Sequence, residues 1–330
     1  MSLAALLATR SIVVVGALVL DTLLGDPWGA AHPVRAIGRL ASWTERALRG
    51  PRRRGGVGRG AAAWAIVVAV SSLAAALVVI GARALAGDAG ATVASMIIVY
   101  FAIAPRDLAR HAVAVAGPLE TGDLGAARKA VSMIVGRDVE RLDHDGVGRA
   151  AVESVAESFV DGVAAPIAFA FVLGPVGAAA HRAINTLDSM FGHKDDRYRE
   201  FGRVSARTDD LAGLVPARLS GFAIAIAAWI LGLQGRNALR VYFRDRLRHE
   251  SPNAAHPEAA FAGALGLSFG GRAWYDGEPV DKPRIGDGSE RCTAADIRLA
   301  VRLMYASTVV LAVGAVAIEF GVRIAFAKFG

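Results

Sequence analysis

Apolar residues in this chain gather into runs, and polar residues gather at the ends of those runs. Gly60–Ala82 passes without a single charged residue. Ala89–Pro105 and Leu303–Ile318 are the next candidates, and Ser11–Leu20 extends to Leu24 only by carrying Asp21. A bilayer core takes about 20 mostly apolar residues as helix, so these four segments predict membrane spans. No obvious small-residue cleavage site follows the first run, which predicts a retained helix and not a removed signal. Gly162–Ala180 and Leu219–Gly235 are also apolar. The first holds Pro166 and a Gly174–Pro175 step. A residue before proline is pushed out of helical dihedrals, so this run predicts a poor straight span.

The rest of the pattern is helical too. Leu108, His111, Ala112 and Val115 recur at helical spacing, and Gly122–Gly136 begins after Thr121 and ends at a glycine. No clean period-two alternation occurs, and Trp274–Glu290, rich in Gly, Pro and charge, is expected to be an irregular loop. With no internal repeat and no composition break, residues 1–330 predict one all-α, polytopic integral membrane domain with polar helices and loops on one side.

Lys and Arg in loops set that side. Pro27–Ala61 carries eight, Arg106–Arg149 seven, Arg182–Arg207 six and Arg236–Arg298 ten, against essentially Arg83 alone between the Gly60–Ala82 and Ala89–Pro105 spans. All four rich regions are expected to face the cytoplasm, with Arg49–Gly60 as a flexible basic anchor. If Gly162–Ala180 and Leu219–Gly235 both crossed once, Arg182–Arg207 would lie outside; if only one crossed, Arg236–Arg298 would. The expectation is therefore that neither crosses simply, and that both are re-entrant or buried in a helical body at the membrane surface.

Composition agrees. The chain is 54% hydrophobic and 20% charged, with mean hydropathy +0.41 and a pI near 10.0. That is too apolar for a usual soluble surface and too charged for bare spans. The net charge of +7 suits anionic lipid or an anionic substrate. Without an aromatic-interleaved basic patch or a known binding motif, nucleic acid is not an expected partner. Cys292 stands alone, which excludes a disulfide framework and a cysteine metal cluster.

Several polar words abut the apolar runs, and charged groups beside a bilayer are costly enough to suggest function. Glu153, Glu157 and Asp161 fall at i, i+4 and i+8, one face of a helix, where like charges repel unless Mg²⁺, arginine or a substrate amine offsets them. Asp209 and Asp210 follow Arg207 and precede Pro216 and Arg218. Paired aspartates at a helix start serve as caps or as hard oxygen ligands for Mg²⁺ alongside phosphate. Asn185 and Asp188 share a helical face, with Lys194 and Arg197 beyond. Asp21, Asp26 and His32 sit at a turn-rich junction, as do Ser251, Asn253 and Glu258. No Walker A, GxGxxG, HExxH or GxSxG word is present. These residues imply a membrane-bound site rich in carboxylates and arginines, suited to Mg²⁺ and a phosphorylated or carboxylated molecule; spacing does not give the reaction.

In order along the chain stand D-x-x-x-x-G-D-P (Asp21–Pro27) with His32–Pro33–Val34, V-G-R-D (Val135–Asp138), E-S-V-A-E (Glu153–Glu157), Asp161–Gly162, N-T-L-D-S-M (Asn185–Met190), A-R-x-D-D (Ala206–Asp210) with P-A-R-L (Pro216–Leu219), S-P-N-A (Ser251–Ala254) with P-E-A-A (Pro257–Ala260), and Gly270–Gly271 with Tyr275 and Gly277. Together they resemble the CobD/CbiB family of cobalamin biosynthesis proteins. The resemblance implies an integral membrane ligase, adenosylcobinamide-phosphate synthase, with its site facing the cytoplasm. Such an enzyme joins adenosylcobyric acid to (R)-1-amino-2-propanol or its O-phosphate, using ATP as co-substrate and Mg²⁺. Its implied partners are the corrinoid and amino-alcohol substrates, membrane lipid, and other late cobalamin-pathway enzymes or a second copy. On this resemblance Glu157, Asp161, Asp209 and Asp210 hold Mg²⁺–nucleotide, and Arg137, Arg207 and Arg218 hold phosphate or corrin carboxylates. Asn185, Asp188, Ser251 and Asn253 orient substrate, with Asp188 a base for the amine and Glu153 counted with the catalytic group. Asp26 and His32 complete the substrate-binding set. Ser158 stands where the pattern has Asn, Ala255–His256 replaces a glycine step, and Leu211–Leu214 lacks an amide. The rival readings are a non-catalytic AmpE-like membrane sensing protein, which the N-T-L-D-S-M and D-D words disfavour, and a transporter, which the absence of repeats disfavours.

Overall fold

The computed structural model describes residues 3–26, 29, 32–49, 56–193 and 195–329, with backbone alone for 3–9 and 326–329. Pro27, Arg52, Arg53, Arg54 and Lys194 lie outside the described residues. Eleven helices and one hairpin are described: α1 (Leu3–Leu24), α2 (Pro33–Arg49), α3 (Val57–Ala102), α4 (Pro105–Glu120), α5 (Leu124–Val131), α6 (His144–Phe159), a π-helical turn (Val160–Ala164), α7 (Ala165–Phe191), α8 (Arg203–Ile230), α9 (Gly235–Asp245), α10 (Ala255–Leu265), β1 (Phe269–Tyr275), β2 (Glu278–Ile285) and α11 (Ala294–Phe329). Four helical stretches, Val57–Glu120, His144–Phe191, Arg203–Ile230 and Ala294–Ala325, are long and apolar enough to cross a membrane. The protein is a predominantly α-helical, polytopic membrane protein. The chain divides into two compact units.

The first unit comprises Met1–Ala104, Ala165–Gly213 and Ala312–Gly330. Its α3 has 46 residues, about 69 Å if straight, against a bilayer core of about 30 Å. It is not straight. Ala86 and Gly87 leave helical dihedrals, Gly87 at φ 62°, where glycine alone is unstrained. A side chain on Gly90 would run into the carbonyl oxygen of Ala82. Residues eight apart in a helix lie about 12 Å apart, so the chain doubles back. The two spans expected on either side of Arg83 are the arms of this hairpin, and Leu73, Leu77, Val78 and Ile80 are exposed along the first arm, as lipid-facing side chains must be. Ala41, Ala63, Val67, Ala183, Leu187, Phe191 and Phe201 form the core between α2, α3 and α7.

The break expected at Gly174–Pro175 is present, with Gly174 at φ 73°. Pro175 has no N–H to return to the carbonyl of Phe171. Arg10 from α1 supplies the missing donor, its guanidinium bonding the carbonyls of Phe171 (3.1 Å) and Val172.

The second unit comprises Pro105–Ala164 and Leu214–Leu311. Leu219–Gly235, expected to be re-entrant or buried in a helical body, is mostly buried through Ala228. Through Ile230 it belongs to α8, 28 continuous residues, or about 42 Å. Val215, Leu219, Phe222 and Ile226 are exposed along one stripe of it. Pro216 lies within this helix without ending it, as helices of membrane proteins tolerate. The expected irregular loop at Trp274–Glu290 is corrected. Most of it is an antiparallel hairpin pairing Arg272 with Asp281 and Ala273 with Val280. Asp276 and Gly277 both have positive φ, 51° and 83°, the dihedral signature of a tight two-residue hairpin turn. Pro279, Pro283 and the exposed face of β2 hid the alternation; a two-stranded sheet is all edge, and edges tolerate proline.

Asp245 ties the hairpin's end to α9. Wholly buried, it pairs with Arg244 at 2.6 Å and Arg248 at 3.3 Å and accepts the Gly286 N–H at 2.8 Å. Burial alone would raise this carboxyl, but Arg244, Gly286 and Arg248 together hold it below its ordinary range. A carboxyl depressed in the folded state adds stability above its unfolded value of about 3.9, and that stability is lost as pH falls through the folded value. The thermal midpoint in detergent is therefore expected to fall below about pH 4. Asp245→Asn is expected to lower the midpoint at pH 7, by the equivalent of about 3 kcal/mol, and to flatten part of that acid fall. Differential scanning fluorimetry across pH reads both.

Candidate functional site

Two polar clusters hold most of the expected residues, one in each unit. In the second unit α6 carries Glu153 and Glu157 one turn apart. Asp161, expected on the same face, falls in the π turn at Val160–Ala164, where the helix widens. π turns of this kind recur at functional sites. Among the described residues, the groups that join Glu157 are His249 and Glu258, their ligand atoms all within 4.8 Å of one another. They arrive from before and within α10. Glu157 is exposed, His249 half-buried and Glu258 1% exposed.

Arg137 does not stand free for a phosphate. Its guanidinium bonds Glu153 at 2.7 Å, the two side chains being 13% and 7% exposed. Burial works against the Arg137 charge, and Glu153 more than restores it. The neighbouring Asp138 is structural. Its N–H donates to the Trp274 carbonyl and its carboxylate accepts the Gly277 N–H, each at 2.8 Å. The V-G-R-D word thus clamps α6 with one residue and the hairpin turn with the next. That brings Lys282 of β2 to the cluster. Burial would lower Lys282, but its hydrogen bond with Tyr275 and the charge of Glu153 hold it above its ordinary value.

Glu258 is the most constrained group. Its Oε1 is buried with no hydrogen-bond partner. Burial first, then Glu153 and Glu157, push its carboxyl well above the usual range. Burial lowers the His249 imidazolium, with Glu157 and Glu153 opposing. Ser251, expected on substrate, engages its polar atoms locally. Its N–H donates to His249 Nδ1 at 2.9 Å, and its Oγ accepts the N–H groups of Asn253 (3.3 Å) and Ala254 (3.4 Å). Asn253 is buried beside it. Arg218 turns back onto its own helix, donating to the Leu214 carbonyl at 2.7 Å.

In the first unit, Asn185 and Asp188 on α7 face Asp209 and Asp210 on α8. The Asn185 amide donates to Asp209 Oδ1 at 3.4 Å, and Asp188 lies within electrostatic reach of Asp210 and His193. Three carboxylates and an amide from two helices thus converge, although 20 to 25 residues of chain separate them. Arg207 is exposed on α8. Asp26 is exposed at the first junction. His32 accepts the Val34 N–H on Nδ1 at 3.1 Å and meets the Phe101 ring edge-on at 5.2 Å, which makes it a cap for the start of α2.

His249, Glu258 and Lys282 are the groups that sequence reasoning did not place. Glu258 stood in view only as part of a turn-to-helix junction, His249 lies two residues before the S-P-N-A word, and Lys282 was hidden with its hairpin.

These features define a polytopic helical membrane protein with clustered carboxylates. The family described as "CobD/Cbib protein" matches residues 14–304. Cobalamin biosynthesis protein CobD of Geobacter metallireducens is 45% identical over 299 residues, 91% of this chain and 93% of that one. CobD of Clostridium perfringens is 42% identical over 84% of this chain and 88% of its own, and cobalamin biosynthesis protein CbiB of Salmonella typhi is 44% identical over 90% and 93%. The chain belongs to the CobD/CbiB family. No solved structure matches it.

The buried Arg137–Glu153 pair yields a double-mutant test. Removing either partner leaves a lone buried charge at a cost of about 3–5 kcal/mol. Arg137→Met and Glu153→Leu are each expected to lower the thermal midpoint strongly. The double variant is expected to recover much of the loss, as measured by thermal unfolding in the same detergent.

Proposed function

We propose that this protein is a membrane-bound cobinamide-forming synthase. It joins the free propionate carboxylate of adenosylcobyric acid to the amine of (R)-1-amino-2-propanol or of its O-phosphate, and consumes ATP. The family relationship supports a role in cobalamin biosynthesis, and the observation that carries the reaction is the convergence of Asn185, Asp188, Asp209 and Asp210 from α7 and α8.

A carboxylate is a poor electrophile. Its oxygen attacks the γ-phosphorus of ATP, ADP leaves, and the resulting acyl phosphate is open to an amine, which displaces inorganic phosphate and forms the amide. Phosphoryl transfer asks a protein mainly for positioning and charge neutralisation. The α7–α8 cluster offers hard oxygens of the kind Mg²⁺ accepts alongside phosphate, so Asp209, Asp210 and Asp188 would hold the ion and Asn185 would fix Asp209. When bound, the metal offsets the charge of the nucleotide phosphates. Arg207, an exposed cation on α8, suits a phosphate or a corrin carboxylate. The Lys- and Arg-rich connections support a site on the cytoplasmic side.

Complementation tests the proposal. A strain lacking its cobinamide synthase, supplied with cobyric acid and this gene, is expected to grow without added cobinamide. Asp209→Ala and Asp210→Ala are each expected to abolish growth with undiminished protein in the membrane fraction. Growth with both variants would refute the metal-holding assignment; no growth with the intact gene, present in the membrane, would refute the synthase.

A further inference from the structure

The carboxylates around α6 and α10 are short of one cation. Glu258 lies at the bottom of its cluster, 1% exposed, with Oε1 unpartnered. Leaving a buried polar atom without a partner is costly, and more so when the atom carries charge. Glu157 and His249 present their polar atoms within 4.8 Å of it and of each other. Among the described residues no ion pair reaches Glu157 or Glu258. The nearby cations are engaged elsewhere: Arg137 with Glu153 at 2.7 Å, and Lys282 with Tyr275. The cluster grades from exposed Glu157 through half-buried His249 to buried Glu258, so one carboxylate lies at the surface and the other beneath it.

Two kinds of occupant would supply positive charge, a metal ion and an N–H cation. His249 separates them. Its Nδ1 accepts the Ser251 N–H at 2.9 Å, so the ring's proton sits on Nε2. An imidazole in that tautomer has no lone pair left for a metal, and its Nε2–H is a donor that a neighbouring carboxylate can accept. A primary ammonium needs acceptors only. With N–H···O contacts of about 2.9 Å, one nitrogen reaches two oxygens spaced as these are.

We propose that Glu157, His249 and Glu258 form a receptor for a primary ammonium group, with Glu258 the acceptor at its base, Glu157 the acceptor at its mouth and His249 a positioning residue. On the synthase reading, on which this assignment rests for its ligand, the ammonium belongs to the amino alcohol. Amine recognition then moves away from Asp188, which stays with the α7–α8 cluster.

The test uses the full chain in lipid nanodiscs and isothermal titration calorimetry. (R)-1-Amino-2-propanol is expected to bind and 1,2-propanediol, which has a hydroxyl in place of the amine, is not. Glu258→Gln keeps the shape and removes the charge, and is expected to weaken amine binding by about tenfold or more, with Glu258→Asp intermediate. If Glu258→Gln does not accumulate, Glu157→Gln at the exposed mouth is expected to show the same loss. Equal amine binding by wild type and the Gln variant would overturn the assignment. So would stoichiometric Mn²⁺, seen by electron paramagnetic resonance, that is lost in the Gln variant and not displaced by the amine. Amine binding by a protein that fails the complementation test supports the receptor while refuting the synthase, so the two failures are distinguishable.

Discussion

The Arg137–Glu153 ion pair organises the second unit. Two charges nearly removed from water are tolerable only because each is the other's partner, and the 2.7 Å contact fixes the V-G-R-D loop against α6. Asp138, one residue on, then seats the hairpin turn, and the hairpin carries Lys282 and Tyr275 to the same place. With Glu153 neutralised in this way, Glu157 and Glu258 are, among the described residues of this cluster, the carboxylates that no ion pair reaches. Where a cationic ligand can bind is thus set by which acid the arginine chooses.

The first unit solves a different problem by the same means. A membrane helix must satisfy its backbone internally, yet α7 is broken at Gly174–Pro175. Arg10 repairs the break by donating to the Phe171 carbonyl that Pro175 orphans and to its neighbour on Val172. The kinked helix then runs on to present Asn185 and Asp188 to α8. A polar word at the end of an apolar helix, as the N-T-L-D-S-M run is, is therefore held by a helix rather than by a loop, which favours precise placement of hard ligands.

Much of this is legible in the sequence. The α3 hairpin follows from two apolar runs around Arg83, and the α7 break from Gly174–Pro175. Pairs within one helix, Glu153 with Glu157 and Asn185 with Asp188, follow from helical spacing. What spacing along one element does not encode is which other element packs against it. Glu153 with Arg137, Asn185 with Asp209, and Glu157 with Glu258 are tertiary contacts. The hairpin escapes detection because its prolines and exposed face mask alternation, although Asp276–Gly277 carries the turn signal, and Lys282 is lost from view with it. His249 gives no motif of its own; its role comes from the Ser251 N–H that fixes its tautomer.

The most direct measurement of the central claim follows oxygen. Adenosylcobyric acid carrying ¹⁸O in its free propionate carboxylate is incubated with ATP, the amino alcohol and membranes containing this protein, and the released phosphate is analysed by mass spectrometry. Activation through an acyl phosphate predicts that one labelled oxygen leaves in inorganic phosphate as the amide forms. Amide product accompanied by wholly unlabelled phosphate would contradict it.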